Sequence, residues 1–461
     1  MKTLHDPQRL LADGLARIRE EFSVPTGFSP EALAAADNAS RHKPDEHVDR
    51  TDLPFVTLDP APSTDLDQAF AIEPAGPDLL LRYAIADVPW FVADGDPLDT
   101  EAWARGTSTY LPDGRAGLYP AALSEGAASL LPDGDRPAIV LDVRIDADGE
   151  ARLDGVERAL IRSRAKLAYE TVRESDLPAD FAELAARIDR AEDRRGASRV
   201  DPPEQQLEPD GKGGFALAFR PLLRSEKQNA ALSLAANLAV AKAMLDAGTG
   251  LFRVMAAPDA EAEVRLRATA AAFHLNWPAA MSLAQFERRL DAARPAEAAF
   301  MLAVRRAGRG ATYEPWQPDE LPWHAAIAAP YAHATAPLRR LADRYVLRAA
   351  LAVANGKPVP EDVTAAFARL RKVMARAANR DGQIDRAVID LAETATLANQ
   401  VGTIFNATVT DVREGTLIVQ LDDAPIVVSV AAGHAVPGDT IRVRLSAANP
   451  AQRRLEFARI A

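Results

Sequence analysis

Near the start of the chain, Leu10, Leu11, Leu15, Ile18 and Phe22 recur at helical spacing, which predicts an amphipathic helix. Ser29 before Pro30 supplies an N-cap and a first-turn proline for a second helix through EALAAADNAS. The polar stretch RHKPDEHVDRTDLP then reads as a linker, so residues 1–50 are expected to form a small helical module, helix-turn-helix-like in length. From about Leu53 to Asp146 the pattern turns to short apolar runs, FVTLD, LLLRYAIADV and AIVLDVRID, set between Gly, Pro and Asp turns, which predicts strands. From about Phe181 to Thr396 it is Ala-rich and mostly helical. The last 58 residues return to strands, IFNATVTDV, TLIVQL, PIVVSV, TIRVRL and RLEFARI, with EG, DD and PGD turns. Five short strands in so small a module predict an OB-like barrel, a fold often used for single-stranded nucleic acid, or an SH3-like barrel without a ligand. The resulting fold class is α+β and multidomain, divided at 1–50, 51–400 and 401–461.

The chain has 461 residues, 48% of them hydrophobic and 26% charged, a globular composition with room for a sizeable core. It has no cysteine, which excludes disulfides, thiolate metal sites and a cysteine nucleophile. The N-terminus carries Asp6 and Asp13 and no continuous apolar stretch, unlike a secretory signal. The most apolar helical run, Ala230 to Leu245, is interrupted by Ser233, Asn237 and Lys242 and falls short of a membrane span. A cytoplasmic protein that makes no membrane contact is expected. Among the seven His there is no HExxH, and neither a GxSxG elbow nor a GxxxxGK[ST] loop occurs. DGKGGF around Lys212 reads as a turn.

The formal charge of −12 is unevenly placed. In FVTLDPAPSTDLDQAFAIE, Asp59 ends an apolar strand, and Asp65 and Asp67 stand two apart, on one side of an extended chain. Three converging carboxylates need a cation, and all-oxygen donors favour Mg²⁺ for phosphoryl-transfer chemistry. The other reading is an Asp-rich surface loop. Far along the chain, YAHATAPLRRLADRYVLR places Arg340, Arg344 and Arg348 on one face of a helix starting near Pro337, with Arg339 beside its N-terminus. Between Arg339 and Arg386 there are 11 cations against 5 anions, and Arg369, Lys372, Arg376 and Arg380 extend the stripe. Such a stripe suits a polyanion. Its alternative is a solvated face paired with neighbours such as Asp343. Only 8 of the 54 cations are Lys, a bias that a GC-rich genome explains at least as well as phosphate recognition.

Four collinear segments, TLDPAPSTDLDQAF, YAIADVPWFVADGDPLDTEAWARGTSTYLPDG, IRSRAKLAYETV and YAHATAPLRRLADRYVLR, resemble the RNase II/RNB family of exoribonucleases over roughly residues 50–400. The resemblance implies an RNB-type catalytic domain over 51–400 and an OB-like RNA-binding barrel over 401–461. It also implies Mg²⁺-dependent, with Mn²⁺ as the substitute, processive 3′→5′ hydrolysis of RNA to nucleoside 5′-monophosphates by a monomer. The substrate is single-stranded RNA or structured RNA with a 3′ overhang. By position, Asp59, Asp65 and Asp67 match metal-site aspartates, Asp67 as a ligand or as the group that orients water. Arg339 matches the arginine at the scissile region, and Tyr169 an aromatic that stacks on the terminal base. His333 and Arg340 are assigned RNA contact, with a structural role as the alternative for His333.

The departures are specific. Gln68 stands where the family has a fourth aspartate, and Gln383 lies near the position of an expected Glu, with Asp385 the nearest acid. After LFRVMAAPD a second stacking aromatic is missing, and Pro258 takes its place. About 50 residues precede the aspartate segment, too few for two cold-shock barrels, so structured RNA is expected to reach the site more easily. In the barrel, the strands carry few exposed aromatics beyond Phe405 and Phe457. Two rivals stand beside the exoribonuclease: a catalytically impaired RNA-binding protein on the same scaffold, and a metal-dependent phosphodiesterase for a small nucleotide.

Overall fold

Alternating buried and exposed positions build an antiparallel meander in which Gln68–Ala75, Asp78–Ala86, Arg136–Ile145 and Ala151–Ile161 pair in that order. The computed structural model describes residues 2–4, 10–132, 134–198, 204–209, 215–220, 222–291, 294–308, 310–413, 415–422, 426–431 and 433–460. The inner strands are apolar, with Leu81, Tyr83, Ile85, Ile139, Leu141 and Val143 all buried. Helices Arg224–Asp246 and Leu341–Ala354 pack on this sheet and on each other, which closes the main core. Two of the strands escape a reading by apolar runs. Gln68–Ala75 contains Glu73 and Pro74, and Ala151–Ile161 is half exposed and bulged opposite Asp142 and Val143.

Among the described residues up to Arg50, the two helices share their cores with the rest of the chain. The helix Leu10–Glu21 buries Leu11, Leu15 and Ile18 against Ile384, Val388 and Leu391 of the 37-residue helix Glu361–Leu397. The helix Pro30–Ala39, capped by Ser29 as its sequence predicts, buries Ala32, Ala36 and Ala39 in the main core. The two helices pack on different partners, so no helix-turn-helix forms. The expected linker is also part of the fold: Val48–Asp49 pairs in parallel with Ala159 and Leu160, and His47 is buried against Asp87. DGKG at 210–213 lies outside the described residues; the segments flanking it, Glu204–Pro209 and Phe215–Arg220, pair as a hairpin.

The C-terminal strands form the expected five-stranded barrel, in the order Val427–Ala431, Thr416–Leu421, Ile404–Arg413, Thr440–Asn449, Arg454–Ile460. The first and last in that order lie against each other, which nearly closes it. Phe405 and Phe457 are not surface rings: both are buried and meet edge to face at 6.0 Å. Leu397, at the end of the long helix, is buried in the same core. No helix among the described residues is long and apolar enough to cross a membrane.

The PGD turn of the barrel docks on the body of the protein. Gly438 has φ 96°, and a Cβ there would lie 2.0 Å from the carbonyl oxygen of Ala272, at the end of the helix Ala260–Ala272. Gly438→Ala is therefore expected to destabilise the protein by roughly 1–3 kcal/mol. A lowered thermal midpoint by circular dichroism checks this, and an unchanged midpoint would contradict the close approach.

Candidate functional site

The strand Thr57–Asp59 pairs in parallel with Lys166–Ala168, so two segments distant in sequence meet in register with Ala168 opposite Asp59. The Tyr169 N–H donates to the Asp59 carbonyl at 3.1 Å, which fixes the tyrosine beside the first aspartate. Asp67 is buried. Its Oδ1 accepts the Leu338 N–H at 2.7 Å, and its Oδ2 lies 3.4 Å from Arg339 Nε. The loop bearing Arg339 is held at several points. Asp343, fully buried, accepts the Ala336 N–H at 2.8 Å and both ends of the Arg340 fork at 3.0 and 2.7 Å, while the Arg339 carbonyl accepts from Ser108 N–H and Thr107 Oγ1. The Arg339 side chain keeps 42% exposure and faces outward from this anchored loop.

A feature not read from the sequence aligns these parts. Along Arg224–Asp246 the polar residues Ser225, Asn229, Ser233 and Asn237 recur every four residues, on nearly one face of an Ala-rich helix. Ser225 donates to the Tyr169 carbonyl at 2.9 Å. Asn229 donates to the Leu58 carbonyl at 3.1 Å and to Tyr169 Oη at 2.8 Å. Ser233 meets Gln68 Oε1 at 2.8 Å and Tyr83 Oη at 2.6 Å. Asn237 accepts the Ala334 N–H at 2.8 Å and donates to Tyr331 Oη at 3.2 Å. The interruptions in the apolar run are thus its functional signal, legible in principle as a four-residue polar period.

Asp65 is near enough for its charge to add to the rise that burial imposes on Asp59, but its oxygens have partners of their own. Arg115, on the hairpin Thr109–Leu111 and Gly114–Ala116, pairs with Asp65 Oδ1 and reaches Glu125 at 2.7 Å, and Tyr110 Oη donates to Asp65 Oδ2 at 3.2 Å. With Asp65 engaged in this way, no group of three acidic or histidine side chains among the described residues is placed to hold a metal. Arg115 already supplies the charge that Asp65 needs. Two carboxylates remain suited to a hard cation. No donor among the described residues reaches the Asp59 carboxylate, and burial pushes its pKa up to about 6, with Arg339 opposing. Burial pushes Asp67 up to about 7, against the pull of Arg339 and the Leu338 N–H. Two desolvated carboxylates that share Arg339 as their cationic neighbour fit the one-or-two-carboxylate coordination usual for Mg²⁺.

Several expected contacts are otherwise engaged. Pro337 does not open the arginine helix, which begins at Leu341, and its stripe is internally paired: Arg340 with Asp343, Arg344 with Asp99, Arg348 with Asp94 and Asp362. Arg369 lies over the Trp103 ring at 4.1 Å, and Arg376 and Arg380 donate to the terminal carbonyls of the helix Pro97–Arg105. The helix Leu341–Ala354 and Arg340 thus follow the paired-face alternative, whereas Arg369 and Arg376 meet a ring and carbonyls and Lys372 is exposed. His333 is bonded to Tyr313 at 2.7 Å between the rings of Tyr313 and Tyr331. Burial and then Arg340 push its pKa well down. Gln68 gives its amide oxygen to the Tyr83 and Ser233 hydroxyls and not to the aspartates. Gln383 is exposed on the long helix, whereas nearby Asp381 accepts from Thr109 Oγ1 at 2.9 Å.

Residues 47–355 match the RNB domain and residues 403–460 the RNase II-type exonuclease C-terminal S1 domain. The chain is 28% identical to a ribonuclease R of Thermotoga maritima over 451 residues, covering 89% of this chain and 62% of that protein. It is 28% identical to the Escherichia coli ribonuclease R, covering 90% of this chain and 57% of that one. The chain thus spans about three fifths of the length of these relatives. In fold it is similar to Mycoplasma genitalium RNase R, solved with ribose-methylated single-stranded RNA: the TM-score is 0.84 at 20% identity, covering all of this chain and 79% of that one.

Both raised carboxyls favour the protonated folded state. That stabilisation is complete below the ordinary value of 3.8 and is lost as pH rises through about 6 for Asp59 and about 7 for Asp67. In EDTA, the thermal midpoint of Asp67→Asn is expected to gain at least about 2 °C on the unaltered protein between about pH 5 and about pH 8. Parallel curves for the two proteins would place the titration elsewhere.

Proposed function

Since the chain belongs to the RNB family, we propose that it hydrolyses RNA processively from the 3′ end to nucleoside 5′-monophosphates, with Mg²⁺, or Mn²⁺ in its place, as cofactor. The observation that carries this reading is the bond from the Leu338 N–H to buried Asp67, which joins the aspartate segment to the arginine loop and presents Arg339 beside it. Asp59 and Asp67 would hold the cation. When bound, it supplies positive charge against the scissile phosphate and water of lowered pKa. Arg339 carries a planar donor fork on an anchored loop, suited to charge that grows on phosphate oxygens during attack. Tyr169, held by Asn229 and by the Asp59 backbone, offers its ring to the terminal base. With Pro258 in place of a second ring, stacking rests on this tyrosine. The substrate is a single strand or the 3′ overhang of a structured RNA, and the cytoplasm is the proposed compartment.

A second reading, an RNA-binding protein that has lost cleavage, is favoured by one observation. Gln68, where the family has an aspartate, is committed to Tyr83 and Ser233, so the site carries one charge fewer.

Purified protein incubated with Mg²⁺ and 5′-labelled single-stranded RNA is expected to give a descending ladder, absent in Asp67→Asn. Arg339→Lys should slow it by about a hundredfold, because an ammonium cannot replace the fork. RNA retained without shortening by the unaltered protein would establish the second reading instead.

A further inference from the structure

Arg115 has no part in the function proposed above, yet it is the cation nearest to Asp65. Its guanidinium bridges two carboxylates, with Nη1 on Asp65 Oδ1 and Nη2 on Glu125 Oε1 at 2.7 Å. The remaining oxygens of both acids are also occupied: Tyr110 Oη donates to Asp65 at 3.2 Å, and Thr64 Oγ1 donates to Glu125 at 2.7 Å. Asp65 is the more enclosed of the two acids, with 13% side-chain exposure against 36% for Glu125. We propose that Arg115 is a resident counter-cation of the carboxylate site, which withholds Asp65 from a divalent ion and releases it only by staying on Glu125.

Two physical terms set this competition. A guanidinium on Asp65 already neutralises that carboxylate, and its own charge repels a dication drawn to the same oxygens. Release is possible without stranding the guanidinium, because Glu125 keeps one of the two ion pairs. Hence Glu125 lowers the cost of freeing Asp65, and the two partners of Arg115 act on cation affinity in opposite directions. Arg115 is a positioning residue in this role, since it acts through Asp65.

The inference rests on the preceding reading that Asp59 and Asp67 hold a divalent cation, and Mn²⁺ binding to the full chain without RNA tests both by calorimetry and electron paramagnetic resonance. Arg115→Gln is expected to tighten Mn²⁺ on the order of tenfold, the equivalent of one partly buried ion pair. Adding Asp65→Asn to Arg115→Gln should remove the gain. Glu125→Gln should weaken Mn²⁺ several-fold, because Arg115 then has Asp65 as its remaining acidic partner. Arg115→Lys keeps the charge but cannot bridge, so it should fall between the unaltered protein and Arg115→Gln, and it serves if the glutamine variant does not fold. Equal affinity in the unaltered protein, Arg115→Gln and Glu125→Gln overturns the role of Arg115 and leaves the cation reading standing. No Mn²⁺ binding by any of these proteins overturns both.

Discussion

The buried carboxylate of Asp67 is the constraint on which the site depends. A carboxylate removed from water needs donors, and here one backbone N–H and one guanidinium supply them. Both come from a single loop far along the chain. Satisfying Asp67 therefore also places Leu338 and Arg339, and Asp343 fastens the rest of the loop through Ala336 and Arg340. The two buried acids hold the segment ATAPLRR in one shape.

The polar stripe of Arg224–Asp246 does comparable work without charge. Alanines let the helix approach its neighbours closely, and one polar side chain per turn reaches across to the Asp59 strand, Tyr169, Gln68 and the segment before the arginine loop. Every one of those bonds crosses between elements, so the helix acts as a ruler for the site. Its Ser233 hydroxyl also holds the Gln68 amide oxygen, which accepts from the Tyr83 hydroxyl as well.

Charge follows a similar logic. A guanidinium that is buried, such as that of Arg344 at 1% exposure, cannot remain unpaired, and Asp99 and the Tyr345 hydroxyl meet it. The arginines on these helices join elements together, and the exposed fork of Arg339 is presented beside Asp67.

Much of this protein is legible in its sequence for a local reason. The N-cap at Ser29, the turn-bounded strands of the barrel and the aspartate and arginine segments are written in neighbouring residues, where spacing and residue type suffice. Half-exposed strands such as Ala151–Ile161 are not, because their apolar signal is diluted by the polar face. The partners of charged groups are the other gap. Asp65 and Asp67 stand two residues apart, yet one meets Arg115 and the other Leu338 and Arg339. By itself the sequence determined which chemical groups are available and the order in which they come. Only the tertiary structure decided which of them meet, because burial makes each charge take the partner that the fold brings within reach, whatever its distance along the chain.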